Sequence, residues 1–109
     1  MKRIEFNDVL SRYVTVYEMN VINNAIETYE LNHDISHNQV NNLNAFRINF
    51  KERCEKLVPA TVLGNENISW KNFDIKFTKF IGMLDKGCLK EKHIDELEMA
   101  FEEIANHMK

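Results

Sequence analysis

The stretch Ser36–Pro59 constrains the fold most strongly, because it carries a start signal, an apolar stripe and a stop signal for one long helix. Ser36 and Gln39 form a capping box, in which each side chain accepts a hydrogen bond from the other residue's backbone N–H. Pro59 ends the helix, since the residue before a proline disfavours the helical conformation. Apolar side chains recur between these signals at helical spacing: Val40, Leu43, Phe46, Phe50, Cys54 and Leu57. This pattern predicts a buried helix over 36–58.

The segment before it predicts another long helix, over 7–31, with Asn7 as its N-cap. Its apolar stripe is Leu10, Val14, Tyr17, Val21, Ala25 and Thr28, and a second line of Ile22, Ile26 and Tyr29 widens it. The sequence Tyr13–Tyr17 is β-branched and aromatic, which would also suit a strand. We favour a helix there, because the stripe continues through it without a turn residue.

Two further helices are predicted in the C-terminal half, over 69–86 and 90–108. Ser69 is the N-cap candidate of the first, and Gly87 is the left-handed residue that follows it. Gly82, inside that helix, indicates a close helix crossing. With short connections, these elements predict an all-α, compact, antiparallel bundle of four main helices in a single domain, 1–109.

The composition is that of an ordinary globular protein rather than of a membrane or secreted one. No apolar run reaches the about 20 residues of a membrane span, and no apolar segment of a secretory signal follows the basic start of the chain. We therefore predict a cytoplasmic protein. Its two cysteines, Cys54 and Cys88, are then expected to be reduced, buried thiols.

Charge is unevenly distributed along the chain, which has a net charge of −3. The predicted last helix carries a row of carboxylates, and Asp95, Glu98 and Glu102 lie on one face of it at helical spacing. The helix before it carries a basic face of Lys71, Lys76 and Lys79, opposite its aromatic face. Faces of complementary charge select protein partners, so these six residues are the predicted partner-binding residues.

Catalytic and metal motifs are not evident. His33 and His37 lie four residues apart but straddle a helix start, and Asp34 adds only one more ligand, whereas zinc needs three or four ligands together. Neither Cys54 nor Cys88 has a histidine at a recognisable catalytic spacing. We therefore predict no catalytic residues, no metal and no cofactor.

These observations predict a small non-enzymatic protein that acts by protein–protein interaction, such as an inhibitor, an immunity or anti-defence protein, or a small assembly subunit. The 14 asparagines suit an AT-rich genome such as that of a phage or mobile element, and the partner would then be a host or cognate protein. Tyr13 and Tyr29 would serve as anchors if exposed, and a homodimer is a further option. The alternative is a nucleic-acid-associated protein that uses the Lys71–Lys92 basic face; a small enzyme or metal protein ranks third.

Overall fold

The computed structural model describes residues 1–57 and 70–108, and its helices confirm the all-α bundle. The four α-helices are α1 (Val16–Asn32), α2 (His37–Leu57), α3 (Trp70–Lys86) and α4 (Glu91–His107). A short 3-10 helix, Leu10–Arg12, precedes α1. The described part of the chain contains no strand, and none of its helices is long and apolar enough to cross a bilayer.

The predicted start of the first helix is wrong, because 7–31 is divided between two elements. The Asn7 side chain accepts the backbone N–H of Leu10 at 2.9 Å and so caps only the short 3-10 helix. Thr15 then adopts an extended conformation and opens α1 with its own capping box, in which Glu18 is the second partner. A threonine followed three residues later by a glutamate is a stronger start signal than a lone asparagine.

The ambiguous segment Tyr13–Tyr17 is therefore neither one helix nor a strand. Its first three residues precede α1, and its last two begin that helix. Tyr17 projects into solvent with 69% of its surface exposed, although the predicted stripe placed it in the core. Tyr13 is half-buried and Tyr29 is only 6% exposed, so neither of the two predicted tyrosine anchors presents a free ring.

The predicted start of α2 is confirmed. Ser36 accepts the Gln39 N–H at 3.1 Å, and Gln39 accepts the Ser36 N–H at 2.9 Å. The stripe is buried at Leu43, Phe46, Phe50 and Cys54, but Leu57 is exposed. The predicted stop at Pro59 and the predicted cap at Ser69 lie outside the described residues.

The predicted glycine end of α3 is also confirmed. Gly87 has a φ of 71°, its N–H donates to the Leu84 carbonyl, and the Cys88 N–H donates to the Met83 carbonyl. This pair of bonds is the Schellman arrangement, which satisfies carbonyls left free at a helix end. The close crossing expected at Gly82 is wrong, because a Cβ added there would have no neighbour within 4 Å.

Consecutive helices run antiparallel, as the order of their contacts shows. Arg53 meets Glu18 at one end of the α1–α2 pair, and Gln39 meets Thr28 at the other. The contacts of α2 with α3 and of α3 with α4 are ordered in the same way. Helix α3 packs most extensively on α4, then on α2, and also contacts α1.

Phenylalanine rings fill the centre of the core. The Phe101 ring of α4 lies between 5.2 and 6.1 Å from five others, measured between centroids. These neighbours are Phe6, Phe46, Phe50, Phe73 and Phe77. Most of the pairs are edge-on or tilted, the arrangement that aromatic quadrupoles favour. The N-terminal segment thus packs against the core through Phe6, which is half-buried.

Candidate functional site

The predicted acidic face of α4 is partly covered by the chain's own N-terminal segment. The Lys2 ammonium donates to Asp95 and to Glu98, both at 2.7 Å. Glu98 also accepts the backbone N–H of Glu5. The pKa of Lys2 is raised, most by its hydrogen bond to Asp95 and next by its hydrogen bond to Glu98. A partner that used these two carboxylates would have to displace Lys2.

A second set of contacts holds the same N-terminal segment against α1. The Asn23 side chain bonds the backbone of Ile4 twice, accepting its N–H at 2.9 Å and donating to its carbonyl at 3.0 Å. Ile4 is buried, and Arg3 pairs with Glu30. The segment is therefore anchored by apolar, polar and ionic contacts together.

Two of the six predicted residues, Lys76 and Glu102, line the same groove between α3 and α4. Lys76 and Lys79 lie 3.6 and 3.9 Å from the same Glu96 carboxylate. Lys76 and Glu102 line one cavity of about 390 Å³, which also includes the exposed Met99. Lys71 is exposed near the start of α3. The six predicted residues therefore do not form one surface, and four of them already have partners within the chain.

The opposite side of the bundle carries a groove between α1 and α2. Two cavities of about 300 and 320 Å³ share Tyr17, Val21 and Asn42 and so form one continuous depression. We call it the amide groove and define it by Tyr17, Asn20, Val21, Asn24, Asn42 and Asn49. Its four asparagines and Tyr17 are all exposed.

Charge is nearly absent from the amide groove. The charged residues that line the two cavities are Glu18 and Arg53, and they pair with each other through two hydrogen bonds of 2.7 and 2.9 Å. Burial opposes ionisation of Glu18, but hydrogen bonds from Arg53 and Thr15 outweigh it and lower its pKa. The pair closes one end of the groove as a fixed, internally neutral unit.

The cysteines and histidines occupy different environments. Cys54 is buried as predicted, and burial raises the pKa of its thiol to about 12. Cys88 is exposed, so the prediction of a buried thiol is wrong there; the residue lies in the connection between α3 and α4, outside both helices. Within residues 1–57 and 70–108, no three His, Cys, Asp or Glu side chains come together as a metal site.

Sequence reasoning missed the amide groove, although a signal was present. Met19–Ile26 and Asn38–Phe46 contain no charged residue, in a chain where 28% of residues are charged. Two such stretches on adjacent antiparallel helices predict an uncharged face. No family model matches this chain, and neither a curated protein nor a solved structure shows significant similarity to it.

Proposed function

We propose that this chain is a non-enzymatic binding protein that recognises another protein through the amide groove. It would act as an inhibitor, an immunity or anti-defence protein, or a small assembly subunit. The observation that carries the proposal is the 69% exposed ring of Tyr17 on a nearly charge-free face. Cores of protein interfaces are depleted in charged residues and enriched in tyrosine, and tyrosine recurs among the residues that dominate binding energy.

The surroundings of Tyr17 suit this role. The capping box of Thr15 and Glu18 fixes the start of α1, so the ring is presented from a rigid position and little order is lost on binding. Val16 beside it is 72% exposed and adds apolar contact area. The amides of Asn20 and Asn42 each offer donors and an acceptor, which suit the polar backbone of a partner.

The charged faces support the proposal less well. Asp95 and Glu98 bind Lys2, and Lys76 and Lys79 share Glu96. Binding there would first break contacts of moderate value, so less of the new interaction would appear as affinity. These residues therefore serve as the comparison surface in the test, together with Glu102.

The test is quantitative affinity capture from the source cell with three baits. They are the unmodified chain, the groove variant Tyr17→Ser/Asn42→Asp, and the acidic-face variant Glu98→Lys/Glu102→Lys. We expect one protein to be retained by the first and third baits and lost by the second. With that protein purified, calorimetry should show binding weakened at least about thirtyfold, the equivalent of about 2 kcal/mol for an interface anchor.

Two results would contradict the proposal. One is that no protein is captured in a larger amount by the unmodified chain than by the groove variant. The other is that the partner is lost from the acidic-face bait alone. Circular dichroism on all three baits controls for folding. Light scattering adds a further outcome, since a dimer that the groove variant converts to monomer would identify a second copy of this chain as the occupant.

A further inference from the structure

A basic cavity lies where the chain turns from α3 into α4. Its volume is about 350 Å³. It is lined by Lys79, Met83, Cys88, Lys90, Lys92 and His93. None of these six residues is acidic, although the chain as a whole has 17 acidic and 14 basic residues. The local charge is therefore opposite to the net charge of the protein.

His93 is the buried polar group of this cavity, with only 5% of its surface exposed. Its Nδ1 accepts the backbone N–H of Lys90 at 2.9 Å, which caps the start of α4. A neutral imidazole has one donor and one acceptor nitrogen, so this bond assigns the proton to Nε2. Among the residues described, Nε2 has no hydrogen-bond partner, and it retains access to solvent. The ring thus holds an unused N–H donor in a basic cavity.

Two ammonium groups of the cavity are likewise uncommitted. Lys90 and Lys92 are exposed, and neither forms an ion pair within the described part of the chain. Lys79 is 3.9 Å from Glu96, which it shares with a second lysine. The N-terminus of α4 adds a partial positive charge at the same place. Three lysines and His93 therefore line one depression beside the start of α4.

We propose that this cavity binds the phosphate group of a small phosphorylated compound. Lys90, Lys92 and the His93 Nε2–H hold the phosphate, and Met83 contacts the organic part. Lysine is a common phosphate ligand because its ammonium acts as a point charge. The cavity falls within the roughly 300–1,000 Å³ of small-molecule sites, which is more room than a phosphate fills.

The role of the cavity is binding rather than nucleophilic catalysis. The Cys88 thiol donates to the Lys86 carbonyl at 3.6 Å, and His93 uses Nδ1 for the helix cap. Neither group is bonded to the other, as a nucleophile and its base would be. Cys88 is useful instead as a reporter, because a bound ligand shields it.

The test measures alkylation of Cys88 by iodoacetamide in the full chain while inorganic phosphate or phenyl phosphate is titrated. Sodium chloride at the same ionic strength serves as the control for non-specific effects of salt. Cys54 is buried, with a pKa raised to about 12, and stays silent. We expect saturable protection of Cys88, with phenyl phosphate binding more tightly than inorganic phosphate. Protection that does not saturate, or that chloride reproduces, would overturn the proposal.

Paired variants separate a built site from general surface charge. Lys90→Gln/Lys92→Gln and Lys51→Gln/Lys71→Gln remove the same charge, but only the first pair lines the cavity. We expect at least about tenfold weaker binding for the first pair and less than about twofold for the second. His93→Asn keeps an acceptor at the Nδ1 position and removes the Nε2 donor, so it should weaken binding by about threefold.

Equal losses in the two double variants would refute the site. So would a single-stranded oligonucleotide that binds more tightly than phenyl phosphate at the same salt and is weakened equally by both pairs. That second outcome would indicate a nucleic acid held by the whole basic face. Amide chemical shifts of residues around His93 give an independent reading of ligand position.

Discussion

The α1–α2 pair and the α3–α4 pair are stabilised by different interactions. The second pair packs phenylalanine against phenylalanine, with Phe101 of α4 within 6.1 Å of Phe73 and Phe77 of α3. The first helix of the other pair brings only aliphatic side chains and Tyr29 to the core. It also contacts α2 through directional polar bonds, those of Arg53 with Glu18 and of Gln39 with Thr28.

This difference bears on the outer surfaces. Strongly amphipathic helices such as α3 and α4 separate an aromatic face from a charged one, and the charges then pair with one another across the helices. The α1–α2 pair is held near its ends by helix caps and by the partly buried bonds of Arg53 with Glu18 and of Gln39 with Thr28. Between them lies the amide groove, where Glu18 and Arg53 are the charged lining residues and pair with each other.

Removal of the central ring should have the largest effect. Phe101→Ala loses contact with five rings and leaves a cavity, so we expect the free energy of unfolding to fall by about 3–5 kcal/mol. Met99→Ala on the same helix is the control, because Met99 is exposed and should change stability by less than about 0.5 kcal/mol. Urea unfolding followed by circular dichroism measures both. If Phe101→Ala lowered the free energy of unfolding by less than about 1.5 kcal/mol, the Phe101 ring would not be the main source of stability in the α3–α4 pair.

Loss of the Arg53 contacts in the α1–α2 pair should lower the free energy of unfolding by less than loss of the Phe101 ring. Arg53→Met removes bonds of 2.7 and 2.9 Å to Glu18 and one of 2.7 Å to the Tyr13 carbonyl. We expect a loss of about 1–3 kcal/mol and faster amide exchange around the start of α1. Lys56→Met, an exposed change on the same helix, is the matched control. If Arg53→Met cost as much as Phe101→Ala, the two pairs would not differ in the way described.

Local signals made much of the fold predictable. The Ser36–Gln39 box and Gly87 depend only on neighbours in sequence, and both predictions are confirmed. The true start of α1 carried the same kind of signal at Thr15 and Glu18, which the unbroken apolar spacing obscured. Spacing alone gives the helix but not which side of a broad stripe faces the core.

The surfaces were less predictable, because they depend on contacts between distant parts of the chain. Lys2 and Asp95 are 93 residues apart, and no local pattern indicates that one covers the other. Tyr17 is 69% exposed although it falls on the apolar stripe of the sequence, because exposure depends on packing and not on periodicity alone. The charged residues stood out in the sequence, whereas the amide groove is marked by absent charge.

Two glycines of the α3 region offer the same substitution with opposite expected signs. Gly87→Ala should destabilise by about 1–2 kcal/mol, because an L-residue at positive φ is strained and its Cβ would lie 3.2 Å from the His33 carbonyl. Gly82→Ala should stabilise by about 0.5–1 kcal/mol, since alanine favours a helix interior and the added Cβ meets no neighbour. Thermal unfolding of both variants measures the difference. His33 is the C-cap of α1, so the two helix pairs meet at Gly87. If Gly87→Ala did not change stability, the backbone at this junction would have room to accommodate the added Cβ.

The smallest expected effect is a dependence of stability on pH that arises at His93, on the α3–α4 side. Burial first, then the nearby charges of Lys79 and Lys92, lower its pKa below the ordinary value of 6.5. At His93 the unfolded chain therefore binds more protons between the two pKa values, and the contribution of His93 lowers stability as pH decreases below about 6.5. His93→Gln keeps a helix-cap acceptor at the third helical position but cannot titrate. Between about pH 7.5 and about pH 5.5, we expect the unfolding free energy of the unmodified chain to fall more steeply than that of His93→Gln.

That window lies above the range in which the carboxylate of Glu18, whose pKa is lowered, would begin to take up a proton. The measurement belongs in a phosphate-free buffer, because phosphate bound near His93 would stabilise the folded state by mass action and conceal the slope. Parallel slopes for the two proteins would mean that the folded state does not disfavour the charged ring. The pKa of His93 would then be the same in the folded and unfolded chains, and the contrast between the two helix pairs would rest on the Phe101 and Arg53 variants.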